Sequence, residues 1–466
     1  MKCSFPKQEL RRYLKNYLFF LTFAVLKLEK QTDSILIYSF VRPIAAYALK
    51  IFFRKIYFTN RERIPKGKPL ILAINHPTAF IEPCILACFL PIKLYFLVRG
   101  DLFKKPLFRK ILNVLHMVPI FRQQEGLDQL KKNDATFDFC YEALKDQKTV
   151  VILPEGRTIQ EKRLRPIRKG LARIAFGTYE KYGDIDLHIV PIGVNFTEAD
   201  KFRSVAMFDV GEPIRLKDYY DQYQENPQRT IRNLTIKVKE GLENHIVNIP
   251  NPADDALAED FFTLFRNDHP EKNFPIISED RQPLEGEMNI ADQVSQMSEE
   301  EKSDWSEKIK QYFYKLESNG VEDQALQNPE IYNWKNALFL VLGFVPYFLG
   351  FWLNYPIFGY AKYVSKTKVK QLEFKAPVAL AVGLGLSILL VLFLISVGIY
   401  WWGWWSILAL IFLFYLGRFS LVYLEFWEKY NAAKAVHQLD KSTLEKIKVE
   451  RSSLTKMTQR IASTSI

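Results

Sequence analysis

The sequence predicts an α/β domain, a mixed sheet flanked by helices, followed by a C-terminal transmembrane helical hairpin. Three observations carry this prediction. Between residues 59 and 215, short apolar runs alternate with amphipathic stretches, as strands buried between helices do. Ala376–Tyr400 and Trp404–Leu424 are each apolar and long enough to cross a bilayer. Between those two runs stand Trp401, Trp402, Trp404 and Trp405, where an interfacial aromatic belt belongs.

Length and charge set the frame. At 466 residues the chain exceeds one ordinary domain and implies two or three units. A formal charge of +12 beside 48% hydrophobic and 14% aromatic residues suits a protein with a core that also meets an anionic surface. The apolar last third makes that surface a phospholipid membrane, and no nucleic-acid-binding module is visible. Cys3, Cys84, Cys88 and Cys140 are too few and too scattered for a disulfide framework. Cys84 and Cys88 stand four apart in an apolar run and read as two core thiols. The six histidines (76, 116, 188, 245, 269 and 437) show no metal-ligand spacing, so no metal is expected.

Residues 1–58 read as a basic, amphipathic, membrane-associated segment. Tyr17–Leu26 follows Arg11, Arg12 and Lys15, but it is too short to span, and no small-residue cleavage site follows it. The stretch from Ile35 to Phe58 repeats the mixture, with Arg42, Lys50, Arg54 and Lys55 among Phe, Tyr and Ile. In the 59–215 domain, Leu70–Ile74, Leu94–Val98, Val150–Leu153 and Ile189–Val194 read as buried strands, each bounded by Pro, Gly or charge. Gly126–Lys145 and Gly170–Tyr182 read as helices packed against them. Residues 216–335 are helical and loop-rich: Leu216–Asn248 is helical with one polar face, and the acidic run around Ser298–Glu307 is a solvated helical face.

Residues 336–425 form the membrane region, and 426–466 a basic tail. Ala337–Phe358 is apolar but carries Pro346 and Pro356. The loop after it holds Lys362, Lys366, Lys368, Lys370 and Lys375, and the tail is also rich in Lys and Arg. The positive-inside rule puts both on the cytosolic side. A re-entrant or interfacial path for 337–358 keeps the preceding domain there too, and is favoured over a third span.

Four segments carry chemistry. Asn75-His76-Pro77-Thr78-Ala79-Phe80-Ile81-Glu82 follows the strand Leu70–Ile74. An imidazole in a turn with a carboxylate behind it is the parts list for a general base. Alone, such a histidine near a strand end is more often a structural hydrogen-bonding group. Val118-Pro119-Ile120-Phe121-Arg122 ends an apolar strand in a cation. Pro154-Glu155-Gly156-Arg157-Thr158 leads into a loop with Lys162, Arg163, Arg165, Arg168 and Lys169. Val190-Pro191-Ile192-Gly193-Val194 closes the set. Strand ends of an open α/β sheet converge on one crevice, and arginines there suit phosphate.

In this order and spacing, over about residues 65 to 200, the four segments resemble the glycerolipid acyltransferase family, the PlsC-like group. Gly211-Glu212-Pro213 extends the match. The resemblance implies that His76 is the base and Glu82 its partner. It implies that Arg122 and Glu155, Gly156 and Arg157 bind the acceptor's phosphate, with Lys169 also on the substrate side, and that Pro191 shapes the acyl-donor side. Two departures stand out. The family's usual carboxylate would fall on Ile81, and here it is Glu82, one position later and one methylene longer. The usual Glu-Gly-Thr-Arg block reads Glu155-Gly156-Arg157-Thr158, so the guanidinium leaves the chain one residue earlier.

The implied reaction is acyl transfer from acyl-CoA or acyl carrier protein to the hydroxyl of glycerol 3-phosphate or a lysophospholipid. It needs no cofactor beyond the acyl donor, and the oxyanion would be met by backbone N–H groups near the helix start. Two alternatives remain at this point. An acyl thioester hydrolase keeps the dyad but leaves the basic cluster around Arg157 unexplained. A non-enzymatic basic membrane scaffold explains charge and hairpin but not four ordered blocks.

Overall fold

The structure is a computed structural model and describes residues 38–121 and 133–464. The predicted segment Tyr17–Leu26, the first turns of the predicted helix at Gly126–Lys145 and Arg122 lie outside the described residues.

A helix over 38–52 (α1) leads into strand β1 (Lys55–Thr59), β2 (Leu70–Ile74), helix α2 (Ile81–Phe89), β3 (Leu94–Arg99), α3 (Pro106–Val114) and β4 (Met117–Ile120). Then come α4 (Asn133–Lys145), β5 (Thr149–Ile152), α5 (Gly170–Tyr182), β6 (His188–Phe196), β7 (Val205–Val210) and β8 (Ile214–Arg215). Beyond them follow α6 (Tyr220–Glu225), α7 (Pro227–Glu243), α8 (Asp255–Asp268), β9 (Ile277–Ser278), α9 (Gln282–Gln296), α10 (Glu299–Ser318) and α11 (Asp323–Gln327). Four long helices end the described chain: α12 (Trp334–Lys368), α13 (Lys375–Trp402), α14 (Ser406–Gln438) and α15 (Lys441–Ser463).

Among the described residues the strands form one mixed sheet in the order β4-β3-β5-β2-β6-β7-β1-β9, with β8 on β6. β2 to β6 run parallel, β7 is antiparallel to β6, and β1 and β9 follow β7. The C-terminal ends of β4, β5 and β2 therefore share one edge of the sheet, and the end of β1 lies at the other.

Strand alternation sorts the core. Leu70, Leu72 and Ile74 join Ile81, Ile85 and Leu86 of α2 on one face, together with Leu49 and Phe53 near the end of α1. Ile71 and Ala73 face Cys140, Phe176, Leu234 and Val238 of α4, α5 and α7 on the other. Each such large apolar side chain contributes roughly 1.5–3 kcal/mol when fully buried, which fixes the register.

Three segment boundaries differ from the sequence expectation. The sheet begins at Lys55, inside the segment read as membrane-associated, because Lys55–Thr59 is buried along its whole length beside β7. The helix read over Leu216–Asn248 is interrupted: Pro227 cannot continue α6, and Asn226 instead caps α7 by accepting from the Arg229 N–H. The basic tail is no appendage. Val436, Ile447, Leu454 and Ile461 of α14 and α15 share a core with Phe261 and Phe262 of α8 and Ile290 of α9. The acidic run opens α10 with a capping box between Ser298 and Glu301.

α12 and the hairpin helices α13 and α14 are long and apolar enough to cross a membrane. Gly403, with φ of +61°, makes the turn between α13 and α14, and Trp401 and Trp405 are exposed beside it. α12 is one continuous helix despite Pro346 and Pro356. Tyr423 donates to the Leu340 carbonyl at 2.6 Å, Ser420 to the Tyr347 carbonyl at 2.9 Å, and Gly350 packs against Leu416. Further along, Ala361 meets Gly383, and Ser365 donates to the Lys375 carbonyl at 2.9 Å.

Candidate active site

The site starts where β2 ends. The Asn75 side chain clamps this end to β6, donating to the Val194 carbonyl at 2.8 Å and accepting the Val194 N–H at 2.7 Å. Pro77 disfavours helical backbone at His76 and keeps that residue in the turn, outside α2. The His76 N–H donates to Glu155 Oε1 at 2.8 Å, so the carboxylate at the end of β5 holds the histidine backbone.

Glu82, on the first turn of α2, is fully buried and folds back over the turn. It accepts from the Thr78 N–H and from the Thr78 hydroxyl, each at 2.5 Å. His76 Nδ1 lies 3.6 Å from Glu82 Oε1. That is an ion-pair distance slightly beyond a hydrogen bond. Nδ1 is buried and makes no hydrogen bond among the described residues, and Glu82 is the carboxylate that stands nearest to it in this turn. Ile81, where the family's usual carboxylate would fall, is taken into the core. Glu82, one position later and one methylene longer, places its carboxylate 3.6 Å from Nδ1.

Glu155 is 7% exposed. Burial pushes its carboxyl up to about 7, against the His76 N–H and the Arg165 backbone and charge, which pull the other way. Its observed work is to hold the His76 backbone, and no acceptor-binding geometry is needed to explain its burial.

The basic loop divides in two. Lys162 pairs with Glu259 at 3.1 Å, Arg163 with Asp255 at 2.5 Å and Arg165 with Glu161 at 3.5 Å, which fastens the loop to α8 and to itself. Arg157, Arg168 and Lys169 are exposed and lack a carboxylate partner among the described residues. Gly156 has φ of +68°, and a Cβ there would come within 3.0 Å of Arg168 Nε. Glycine is required for the turn and for the approach of that guanidinium. Arg168 thereby joins Arg157 as a cation beside the Glu155 turn.

Arg122 lies outside the described residues, but Phe121 marks where the chain leaves β4. Its backbone is held by both side-chain atoms of Asn133 at 2.8 Å, and its ring fills the space above Gly100. Pro191 sits in the middle of β6, in register with Ala73, and its ring packs against Gly211 and Gly241. That face is covered by α7, whereas α2 lies on the opposite face. Its contacts are those of packing.

A second His–carboxylate pair lies at the other edge of the sheet. Asp209 accepts from His245 Nδ1 at 2.6 Å, from Thr59 and Asn60 at 2.6 Å and from Arg281 at 2.9 Å. Burial alone would raise its pKa, but the His245 and Thr59 hydrogen bonds and the Arg281 charge hold the carboxyl at about 2. It fastens β1 and β7 to the chain just past α7 and just before α9.

Residues 55–195 match the family model described as Acyltransferase, a span that takes in both the His76–Glu82 turn and the Glu155 turn. These residues form an acyltransferase-family domain. Glycerol-3-phosphate O-acyltransferase 2 of Saccharomyces cerevisiae is 29% identical over 143 residues, 30% of this chain and 19% of that protein. Glycerol-3-phosphate O-acyltransferase 1 of the same yeast is 30% identical over 107 residues, 22% of this chain and 14% of the relative. The aligned parts thus span a fifth or less of the relatives' own length. The solved 1-acyl-sn-glycerophosphate acyltransferase PlsC of Thermotoga maritima is similar over 48% of this chain and 88% of its own, with 16% identity and a TM-score of 0.34.

One contact of the acyltransferase domain had no counterpart in the motifs. The Ala79 N–H, three residues past His76, donates to the Glu373 carbonyl at 3.1 Å. Glu373 belongs to the connection between α12 and α13, and Ala376 at the start of α13 is buried in the same core as Ile81 and Ile85. The membrane-type helices thus supply part of the site's scaffold. No local signal announces a contact between residues nearly three hundred positions apart. Asn75 and Thr78, by contrast, stood inside the motif, and their side-chain chemistry was the available clue.

Proposed function

We propose that this chain transfers a fatty acyl group from acyl-CoA or acyl carrier protein to the hydroxyl of glycerol 3-phosphate or a lysophospholipid at a membrane surface. The observation that carries this is the His76–Glu82 pair: an imidazole with one nitrogen 3.6 Å from a fully buried carboxylate, in a turn held by Glu155, whose own turn carries exposed arginines without a carboxylate partner among the described residues. The acceptor O–H gives its proton to His76 Nε2 as its oxygen forms a bond to the thioester carbonyl carbon. The tetrahedral intermediate collapses by breaking the C–S bond, and the imidazolium returns the proton to the leaving thiolate. Glu82 stabilises the imidazolium between these steps. No covalent acyl-enzyme, metal or further cofactor enters.

The oxyanion donors are backbone N–H groups near the start of α2. In the turn, the N–H groups of His76, Thr78, Ala79 and Ile81 are already engaged, by Glu155, Glu82, Glu373 and Thr78. Those of Phe80 and Glu82 are the ones left for a developing oxyanion. Arg157 and Arg168 take the acceptor's phosphate, which favours phosphate-bearing acceptors over water. The helices α13 and α14 anchor the chain, with the catalytic domain and the lysines at and just past the end of α12 on the cytosolic side. Purified protein in detergent, given labelled acyl-CoA and a panel of acceptors, tests this. Product should form with glycerol 3-phosphate or lysophosphatidate and be lost in His76→Ala; turnover without any alcohol would mean a hydrolase.

A further inference from the structure

The connection between α12 and α13 is fixed to the turn that carries His76, and it is strongly cationic. The Glu373 carbonyl binds the Ala79 N–H, Ser365 closes the connection onto Lys375, and Ala376 is buried with α2. Around these anchors stand Lys366, Lys368 and Lys370, all exposed, and Lys375. Glu373 is the one acidic residue from 359 to 375. None of the four lysines pairs with a carboxylate among the described residues, unlike Lys162 and Arg163 on the other side of the site. Their charge is therefore unspent. Further along α12 and α13, about 20 Å or more from the lysines at 1.5 Å per residue, stand the exposed apolar side chains of Phe348, Trp352, Leu389 and Phe393.

We infer that this strip is the acyl donor's headgroup site, in which Lys366, Lys368 and Lys370 bind the phosphates of a coenzyme A thioester while its acyl chain lies toward the apolar helices. The inference rests on the acyl-transfer reading. Coenzyme A thioesters are amphiphiles, polyanionic at one end and apolar at the other, with the reacting carbonyl between. The strip is likewise a boundary between a cationic and an apolar surface, tethered three residues from the catalytic imidazole. Two anionic substrates meet in this reaction, and two groups of cations without a carboxylate partner among the described residues are tied to the turn that carries His76. Arg157 and Arg168 come from the β5–α5 loop, and the lysines from the membrane-type helices. Phosphates of the bilayer present the same chemistry, so the test must separate the two sources.

Binding of coenzyme A and of 3′-dephospho-coenzyme A is measured by calorimetry on the full chain in neutral detergent, in phosphatidylcholine nanodiscs and in nanodiscs that also contain anionic phosphatidylglycerol. The parent is compared with the triple variant Lys366→Gln, Lys368→Gln, Lys370→Gln. Removal of charge-assisted contacts should weaken coenzyme A binding about tenfold or more. The parent's preference for coenzyme A over the dephospho form should shrink with it, while the KM for glycerol 3-phosphate stays unchanged. These lysines are exposed, and an unchanged melting temperature checks that the variant folds. Equal coenzyme A binding by variant and parent overturns the site, as does an effect confined to nanodiscs containing anionic lipid, which would assign the lysines to the bilayer. A parent that binds coenzyme A as described but transfers no acyl group contradicts the proposed function and leaves this site standing.

Discussion

At the scale of single residues, Glu155 separates positioning from chemistry. Its carboxyl sits high, near 7, chiefly because it is buried. A group raised above its unfolded value of about 4.3 favours the folded state fully below that value and loses the contribution as pH rises through 7. Stability of the domain should therefore decline between about pH 4.5 and 7 through this residue. Glu155→Gln, which mimics the protonated form and keeps an acceptor for the His76 N–H, should flatten that decline. Melting temperatures of parent and variant at pH 5 and pH 8 check it, and an equal drop in both proteins would show that Glu155 is ionised throughout. The site was legible in the sequence where its parts are contiguous. His76, Glu82, Thr78 and Asn75 fall within eight positions, and the odd spacing to Glu82 was visible before its cause was. The division of the basic loop was not legible, because Arg163 and Arg168 differ only in which elements fold beside them.

At the scale of elements, Asp209 ties β1 and β7 to the chain just past α7 and just before α9. Its carboxyl is held at about 2 by His245, Thr59 and Arg281 despite burial. A depressed carboxylate stabilises the fold above its unfolded value of about 3.9, and this contribution is lost as pH falls through 2. Asp209→Asn should cost about 1–3 kcal/mol, since it weakens the buried acceptor that His245, Thr59, Asn60 and Arg281 share. Chemical denaturation at pH 7 reads the loss, and a change below 1 kcal/mol would mean the cluster is not structural. The helix α12 tests a second element. Leu340 and Ala361 touch hairpin positions Tyr423 and Gly383, each twenty residues from Gly403, whereas Gly350 touches Leu416, only thirteen away. At 1.5 Å per residue the middle of α12 lies about 10 Å nearer the hairpin tip than its ends. That pattern is the one expected of a helix that enters and leaves on one face, which labelling of introduced cysteines tests. Cysteines at Lys368 and Lys446 should both resist an impermeant thiol reagent added outside intact cells, while one at Gly403 should react. Labelling at 368 would make α12 a third span. β1 escaped the sequence reading because a lysine opens it and aromatic runs precede it, so it resembled an interfacial segment until β7 paired with it.

At the scale of the whole molecule, the catalytic domain and the membrane-type helices are one construction. The Ala79–Glu373 bond, the burial of Ala376 beside α2 and the shared core of α8, α9, α14 and α15 join them. The two long spans were plain from hydropathy, but their junction with the active site depends on tertiary packing that periodicity does not encode. If Arg157 and Arg168 serve the acceptor, Arg157→Ala and Arg168→Ala should each raise the acceptor's KM far more than the donor's. Loss of one charge-assisted contact is worth on the order of 1.5–3 kcal/mol. Equal losses with a phosphate-free acceptor would make these arginines structural.

The His76–Glu82 pair is tested most directly by kcat for His76→Ala, Glu82→Gln and Glu82→Asp, with membrane yield and melting temperature as folding controls. Loss of the general base should lower kcat by about 10²–10⁴-fold. Glu82→Gln should also be severely impaired, because an amide keeps the shape without the charge that stabilises the imidazolium. Glu82→Asp should keep partial activity, since the shorter carboxylate starts from the same displaced position on α2. A Glu82→Gln protein as active as the parent, beside an inactive His76→Ala, would contradict the pairing seen at 3.6 Å.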